Sequence, residues 1–242
     1  MKYAIFSDIH GNLEALKIAL GNLEEEDIDE FIFLGDAVGY GANPNEVVGV
    51  LRELKDLKGI AGNHDCAVIN KFPLTYFNPV AAKAILWTKD ILTEESISFL
   101  ETLPLIREKY GFICVHGSLF EPQEFHYILY IEHARDNFPL FKERICFIGH
   151  THSKEIYILK DGNFSLSTAD CLKIEEGSRY IINVGSIGQP RDRDNRLCFC
   201  VYDDKNALVT FKRLEYNIEK TAAKIIKAGL PESLAMRLYR GF

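Results

Sequence analysis

The chain has 242 residues, 47% of them apolar and 26% charged, with a formal net charge of −7. That is enough sequence to bury a large core, and the balance is that of a folded globular protein. The acidic excess argues against non-specific binding to nucleic acid or to an anionic membrane surface, and no apolar run reaches the ~20 residues of a membrane helix.

The run Met1-Lys-Tyr-Ala-Ile-Phe-Ser-Asp8 meets a charge too early for a secretory signal, so a cytoplasmic protein is expected. Residues 2–6 read as a short strand ending at Ser7-Asp8. Gly11-Asn12 opens a helix on which Leu13, Leu16, Ala19, Leu20 and Leu23 repeat at helical spacing. Phe31–Leu34 is a second buried strand, ending at Gly35-Asp36. A loop over Val38–Pro44 leads to a helix carrying Val47, Val48, Leu51 and Leu54. A third strand at about 57–61 ends at Gly62-Asn63-His64-Asp65. This β-α-β-α-β alternation predicts parallel strands.

A helical insertion over about 66–106 follows. Asn78-Pro79 is an N-cap with proline at the first helical position, and Thr93 starts another helix. Tyr110–Val115 reads as a strand ending at His116, helix is expected near Tyr127–Phe138, and Ile145–Ile148 is a strand ending at Gly149. Beyond residue 152 the pattern changes to short strands at 156–159, 164–168, 180–183, 197–202 and 207–214, with Asp161-Gly162 and Asp203–Asn206 as hairpin loops. Helices over 218–228 and 232–239 complete one domain spanning 1–242, whose two sheet halves share the motifs. Cys114, Cys146, Cys198 and Cys200 lie in apolar strand-like runs and read as buried thiols rather than a disulfide framework.

Five of the seven histidines, at 10, 64, 116, 150 and 152, fall at expected strand ends beside Gly, Asp or Asn. Ligands at the carboxyl ends of successive strands converge on one crevice in an open α/β sheet. A set of His, Asp and Asn without cysteine suits Mn²⁺, Fe²⁺, Zn²⁺, Ni²⁺ or Co²⁺ rather than a thiolate zinc site. The donors outnumber what one ion takes; two ions ~3.5–4 Å apart, bridged by a carboxylate and a hydroxide, use them all. His64 can carry a proton near neutral pH, and Asp65 is placed to orient its imidazole. Taken singly, Asp8 and Asp36 are equally good turn caps. Asn12 can bond a phosphate or cap its helix, and His126 and His133 share one helical face that reads as solvated.

Asp8-x-His10, Gly35-Asp36, Gly62-Asn-His-Asp65, His116 and Gly149-His-x-His152, in this order, resemble the calcineurin-like metallophosphoesterase superfamily. The run Asn183-Val-Gly-Ser-Ile-Gly-Gln-Pro-Arg-Asp192 resembles its small prokaryotic phosphodiesterase branch. The resemblance implies an α/β fold, a four-layer αββα sandwich of two mixed β-sheets with a dinuclear metal site at the strand ends. It implies that Asp8, His10, Asp36 and His152 hold one ion. Asp36, Asn63, His116 and His150 would hold the other, with Asp36 bridging. His64 then serves as general acid or charge stabiliser with Asp65 orienting it. The cofactors are two divalent ions, Mn²⁺ the first choice and Fe, Ni, Zn, Co or Mg the alternatives. The reaction implied is in-line attack of a metal-bridging hydroxide on a small phosphodiester. A phosphomonoesterase, a metallonuclease and a catalytically silent metal-binding scaffold remain open as alternatives.

Two arginines common in the superfamily's protein phosphatases are missing. Their places, after Gly-Asp and before Gly-Asn-His, hold Val38-Gly-Tyr-Gly41 and Ala61. Arg191 and Arg193 are the nearest substitutes, and Arg191 and Asn12 are the candidate substrate contacts. A small phosphorylated substrate is the expected partner. The segments 66–106 and 117–142 carry no readable motif.

Overall fold

The computed structural model describes residues 1–109 and 111–242. Tyr110, the expected first residue of a strand, lies outside the described residues. Two six-stranded mixed sheets face each other with helices on their outer sides. The chain builds the first half of one sheet from β1 (Lys2–Phe6), α1 (Leu13–Leu23), β2 (Glu30–Phe33), α2 (Pro44–Glu53) and β3 (Leu57–Gly59). The three strands are parallel, in the register Ala4–Phe31 and Phe33–Gly59, as the alternation of strands and helices predicts.

The next segment is α3 (Asn63–Val68), α4 (Pro79–Ile91), α5 (Glu94–Glu101) and β4 (Ile106–Lys109). Asn78 caps α4 by accepting the Ala81 N–H at 3.0 Å, and Thr93 caps α5 through the Ser96 N–H at 3.3 Å. The second sheet continues with β5 (Phe112–Val115), α6 (Ile131–Asn137), β6 (Ile145–Ile148), β7 (Lys154–Lys160) and β8 (Asn163–Ser167). Then come β9 (Cys171–Lys173), β10 (Ser178–Val184), β11 (Leu197–Asp203), β12 (Leu208–Leu214), α7 (Ile218–Lys227) and α8 (Glu232–Leu238). The sheet orders are β3-β2-β1-β11-β12-β9 and β4-β5-β6-β10-β7-β8.

The period of two along each strand sorts side chains between layers. Tyr3 and Ile5 of β1 join Phe112, Phe147, Ile182 and Cys200 in the core between the sheets. Ala4 and Phe6 point the other way, into the layer with Leu16 and Val48 of the helices. Tyr3 meets Phe112 edge-on at 5.1 Å, and Phe112 meets Phe147 at 5.4 Å. Fully burying each such ring contributes roughly 1.5–3 kcal/mol. All six cysteines are free; Cys171 is exposed and the other five are buried.

Four local readings change. The tetrapeptide at 62–65 is not a bare turn: Asn63, His64 and Asp65 form the first turn of α3. The helix expected near 127–138 is only Ile131–Asn137, because Glu121 (φ 47°) and Phe125 (φ 52°) take left-handed conformations before it. His126 therefore lies in a loop, paired with Glu121 at 3.2 Å, and shares no helical face with His133. The edge strands β4 and β9 were not expected from the residues. Among the described residues, no helix is long and apolar enough to cross a membrane.

Candidate metal centre

The carboxyl ends of the parallel strands β1, β2 and β3 in one sheet, and β5 and β6 in the other, open onto one site. Asp8 and His10 follow β1, Asp36 follows β2, and Asn63 and His64 follow β3. His116 follows β5, and His150 and His152 follow β6. All eight side chains are buried, with exposures of 7% or less. Three groups have donor atoms within 4.8 Å of one another: Asp8, His10 and His152; His10, Asp36 and His64; and Asp36, His116 and His150.

Backbone conformation concentrates at these positions. Asp8, His10, Asp36, His150 and His152 all have φ between 48° and 69°. The left-handed region is sparsely populated by residues other than glycine, and such strain gathers where surrounding structure over-determines it. Here the fixing groups are visible. Asp8 N–H donates to Gly35 O at 3.0 Å, and His10 N–H to Asp36 O at 2.9 Å. The Asn183–Asp192 run wraps the same loops: Ser186 Oγ donates to Asp8 O at 2.8 Å, and Asn183 Nδ2 to Gly149 O at 2.7 Å. Gly62 permits a close approach, since a Cβ there would lie 2.1 Å from Asp36 Oδ1.

The hydrogen bonds fix the imidazole tautomers. Nδ1 of His10 faces Val38 O at 2.9 Å, Nδ1 of His116 faces Leu34 O at 2.7 Å, and Nδ1 of His152 faces Gln189 O at 2.6 Å. A carbonyl only accepts, so each Nδ1 carries a proton, and each ring in its neutral form presents the Nε2 lone pair to the centre. The lone pairs of His10 and His152 meet other acceptors, while His116 Nε2 faces His150 Nδ1 at 3.1 Å. His10 Nε2 lies 3.1 Å from His152 Nε2. Asp8 Oδ1 lies 3.2 Å from His152 Nε2, and Asp36 Oδ2 lies 3.3 Å from His116 Nε2 and 3.6 Å from His10 Nε2.

Each aspartate spends one oxygen on the backbone and turns the other inward. Asp8 Oδ2 accepts the His150 N–H at 3.0 Å, and Asp36 Oδ1 accepts the His64 N–H at 2.9 Å. Asp8 Oδ1, Asn63 Oδ1 and His150 Nε2 are buried with no hydrogen-bond partner. Burying polar atoms without partners costs free energy, so a cluster of inward-facing acceptors fits cations that accept their lone pairs. Nitrogen and oxygen donors without sulfur suit borderline and hard divalent ions.

Electrostatics agree. Burial disfavours the charged forms of His10, His150 and His152 and lowers all three, His10 and His150 well below the ordinary range. Burial opposes ionisation of Asp8 and Asp36 too, but the adjoining histidines outweigh it and hold both carboxyls low. Burial also works against a charged His116, yet the Asp36 and Asp8 carboxylates push it up to about 9. The metal-free cluster thus recruits a proton where a dication fits.

The sequence profile of the calcineurin-like phosphoesterase superfamily domain matches residues 1–207. The chain belongs to this superfamily. Among superfamily relatives, a metallophosphoesterase from Sphaerobacter thermophilus superposes with a TM-score of 0.87 at 38% identity, covering 100% of this chain and 99% of that one. An uncharacterized protein of Methanocaldococcus jannaschii is 40% identical over 98% of this chain and 97% of its own. A hypothetical protein from Pyrococcus horikoshii, 22% identical, shares the fold at a TM-score of 0.79 over 100% and 98% of the two chains. The two mixed sheets flanked by helices are those of the calcineurin-like fold. The superfamily is metal-dependent, and the His and Asp groups described above are able to bind metals.

The Asp65 reading requires correction. Its carboxylate does not touch the His64 ring. It accepts backbone N–H groups from Asp36 (2.7 Å), Ala37 (2.9 Å), Gly62 (3.1 Å) and Val38 (3.3 Å). Burial and the neighbouring Asp36 carboxylate raise Asp65 to about 7 in the metal-free protein, against these amides. His64 is instead framed by rings. Tyr40 lies 4.5 Å away, His10 4.7 Å and Phe77 5.0 Å. The backbone at Gly39 (φ +86°) presses so close that a Cβ would sit 2.3 Å from His64 Nδ1. Burial lowers His64 to about 4, with Arg191 adding to the effect.

Of the substrate candidates, Asn12 is committed to the scaffold. Its Oδ1 accepts the Ala15 N–H at 3.1 Å as the cap of α1, and its Nδ2 donates to Gly188 O at 2.9 Å. Arg191 reaches the centre: its charge depresses His10, His64 and His152. Its guanidinium lies 5.7 Å from the Tyr40 ring centre, and its Nε is buried without a partner. Arg193 does not join it, packing 5.9 Å from the Phe242 ring. The residues missed from sequence are Tyr127, which stacks on His150 at 3.8 Å, and Arg237 of α8, 6.0 Å from the Tyr40 ring.

Proposed function

We propose that this protein is a binuclear metal-dependent phosphodiesterase acting on small phosphodiesters. The observation that carries the proposal is the acceptor-only arrangement at the strand ends, where Nε2 of His10 and Nε2 of His152 face each other at 3.1 Å. Asp8, His10, Asp36 and His152 hold one divalent ion, and Asp36, Asn63, His116 and His150 the other. Asp36 Oδ2 lies within 3.6 Å of a histidine from each set, which supports its bridging role. When bound, the two ions polarise phosphoryl oxygens and acidify a water for attack on phosphorus.

The chain's own residues do the rest. The buried walls exclude bulk water and strengthen every charge interaction inside. Arg191 grips a phosphoryl oxygen, taking over from the arginines missing at Val38–Gly41 and Ala61. His64 sits beside the first ligand set with Nδ1 unpartnered, and it holds or delivers a proton at the leaving oxygen. Asp65 acts as a positioning residue through the Asp36 loop. Mn²⁺ is the proposed ion, with Fe, Ni, Zn, Co and Mg as alternatives. The preference for diesters rests on the likeness of the Asn183–Asp192 run to the small prokaryotic phosphodiesterase branch.

The test is hydrolysis of bis-p-nitrophenyl phosphate and of the matching monoester by chelator-stripped protein restored with each metal in turn. Metal-restored turnover favouring the diester is expected. Turnover favouring the monoester overturns the substrate class, and no turnover with metals bound leaves a binding protein.

A further inference from the structure

The metal centre lies in the middle of three adjoining cavities. The central one, about 270 Å³, is lined by Tyr40, Asn63, His64, Asn78, Tyr127 and His150 among others. A cavity of about 470 Å³ shares Tyr40 and Asn78 with it and continues to Ser233, Arg237 and Arg240 of the C-terminal segment. A third, about 610 Å³, shares His126 and Tyr127 and continues to Phe120 and His133.

Ring contacts order these cavities along the cluster. Tyr40 packs 4.6 Å from His10 and 4.5 Å from His64, beside the first ligand set. Tyr127 stacks on His150, in the second set, at 3.8 Å and 18°. Asp36 Oδ2 lies between, 3.6 Å from His10 Nε2 and 3.3 Å from His116 Nε2. The two outer cavities therefore leave the centre past opposite ligand sets.

Their chemistry differs. On the Tyr40 side stand the guanidiniums of Arg191 and Arg237, 5.7 and 6.0 Å from its ring, with Arg240 further along. Arg237 Nε donates to Phe242 O. Among the described residues, no Asp or Glu side chain pairs with any of the three arginines within 4.0 Å. Phe242 lines this cavity as well, and three guanidiniums with no Asp or Glu side chain among them give this wall a net positive charge that attracts an anion. On the other side the rings of Phe120, His126, Tyr127 and His133 line the cavity beside Ser118, Asp136 and Asn137, with Phe120 55% and Tyr127 46% exposed. Exposed rings beside a metal centre offer stacking faces to a flat group.

We propose that the substrate is an internal phosphodiester that lies along this groove, with a planar ring on the Tyr127 side and a second anionic group on the Arg237 side. The inference rests on the phosphodiesterase reading and narrows its substrate class. It explains why a cleft around one phosphorus opens on both sides, where a monoester needs room on one. Tyr127 and Arg237 then determine specificity, and Arg237 lies beyond the residues 1–207 that the superfamily profile covers.

The experiment uses non-hydrolysable phosphonates, so binding is read without turnover. Calorimetry on the Mn²⁺-restored protein compares phenylphosphonate with methylphosphonate, and an ω-carboxyalkylphosphonate with the alkylphosphonate of equal length. The ring and the second anion are each expected to tighten binding at least about fivefold. Tyr127→Leu should erase the ring's gain and keep the anion's; Arg237→Gln should do the reverse, with Arg237→Lys intermediate. Circular dichroism confirms that the variants fold. Equal affinity for all four phosphonates, or gains unmoved by the substitutions, overturns the groove proposal while the metal site stands. Absence of binding by every phosphonate overturns the phosphodiesterase reading itself.

Discussion

The Asp65 carboxylate accepts the backbone N–H of Asp36 at 2.7 Å, from a position 29 residues later in the chain. It takes the amides of Ala37 and Val38 as well, so one buried side chain clamps the loop that presents Asp36. Asp65 thereby belongs to the architecture of the metal site and not to the orientation of His64.

Asp65→Ala strips acceptors from buried amides. Each unsatisfied group costs about 1–3 kcal/mol, so a loss of about 3 kcal/mol of stability is expected. Metal content falls with it, because the left-handed Asp36 loses its restraint. Thermal melting and elemental analysis check both. A variant with full metal content and native stability contradicts the clamp.

His64→Ala should behave differently. Its imidazole is not assigned to either ion, so both ions stay while turnover drops about 10²- to 10⁴-fold. Asp36→Asn should lower metal content, since it removes the inward-facing charge shared by both sets. Equal metal loss in the two variants would refute the division of roles.

Gly39→Ala tests the packing around His64. The added methyl meets Nδ1 at 2.3 Å, on a backbone at φ +86° that disfavours alanine. The ring must shift by about an ångström, and misplacement of that size costs about 10²-fold in rate. Turnover should fall with the metals retained. Undiminished turnover shows that the ring's placement is not set by this contact.

The pH dependence of the metal-free protein follows from the buried histidines and aspartates, with Asp65, raised to about 7, partly opposing the histidines because its contribution is lost as pH rises from 3.8 through 7. His10, His64, His150 and His152 have folded pKa values below 6.5, His64 at about 4, chiefly through burial. Their contribution is fully present above pH 6.5 and is lost as pH falls towards the folded values. The depressed Asp8 and Asp36 add stability that is lost below the ordinary carboxylate value of 3.8. His116 acts oppositely. Raised to about 9, it stabilises fully below 6.5 and loses that contribution as pH rises through 9. Thermal melts should show a steep acid limb and a shallow alkaline one, and His116→Gln should remove the alkaline limb and, because this imidazole helps hold Asp8 and Asp36 low, weaken the part of the acid limb below pH 3.8. An alkaline limb that survives the substitution contradicts the assignment.

The fold and the site were legible in the sequence to different depths. Buried parallel strands such as Phe31–Leu34 announce themselves as apolar runs, and polar residues directly after them mark the strand ends. β4 and β9 escaped because they are short edges: Ile106-Arg-Glu-Lys109 is mostly charged, which suits an edge, and Cys171-Leu-Lys173 has three residues. α3 escaped because six residues hold too little periodicity to read. Asp65 was recognised as a site residue but assigned the wrong neighbour, since no residue pattern distinguishes a carboxylate bonded to amides from one bonded to an imidazole. The carbonyls of Leu34, Val38 and Gln189 that fix the tautomers carry no side-chain signature at all. Arg237 reaches Tyr40 only through the packing of α7 and α8 against α4.

The central claim is that the acceptor cluster holds two divalent ions around Asp36. Its most direct test is titration of chelator-stripped protein with Mn²⁺, followed by calorimetry and by native mass spectrometry. The account predicts two ions per chain in the native protein and loss of the two-ion state in Asp36→Asn. A native protein that takes up no divalent ion, or an Asp36→Asn variant that still takes up two, contradicts it.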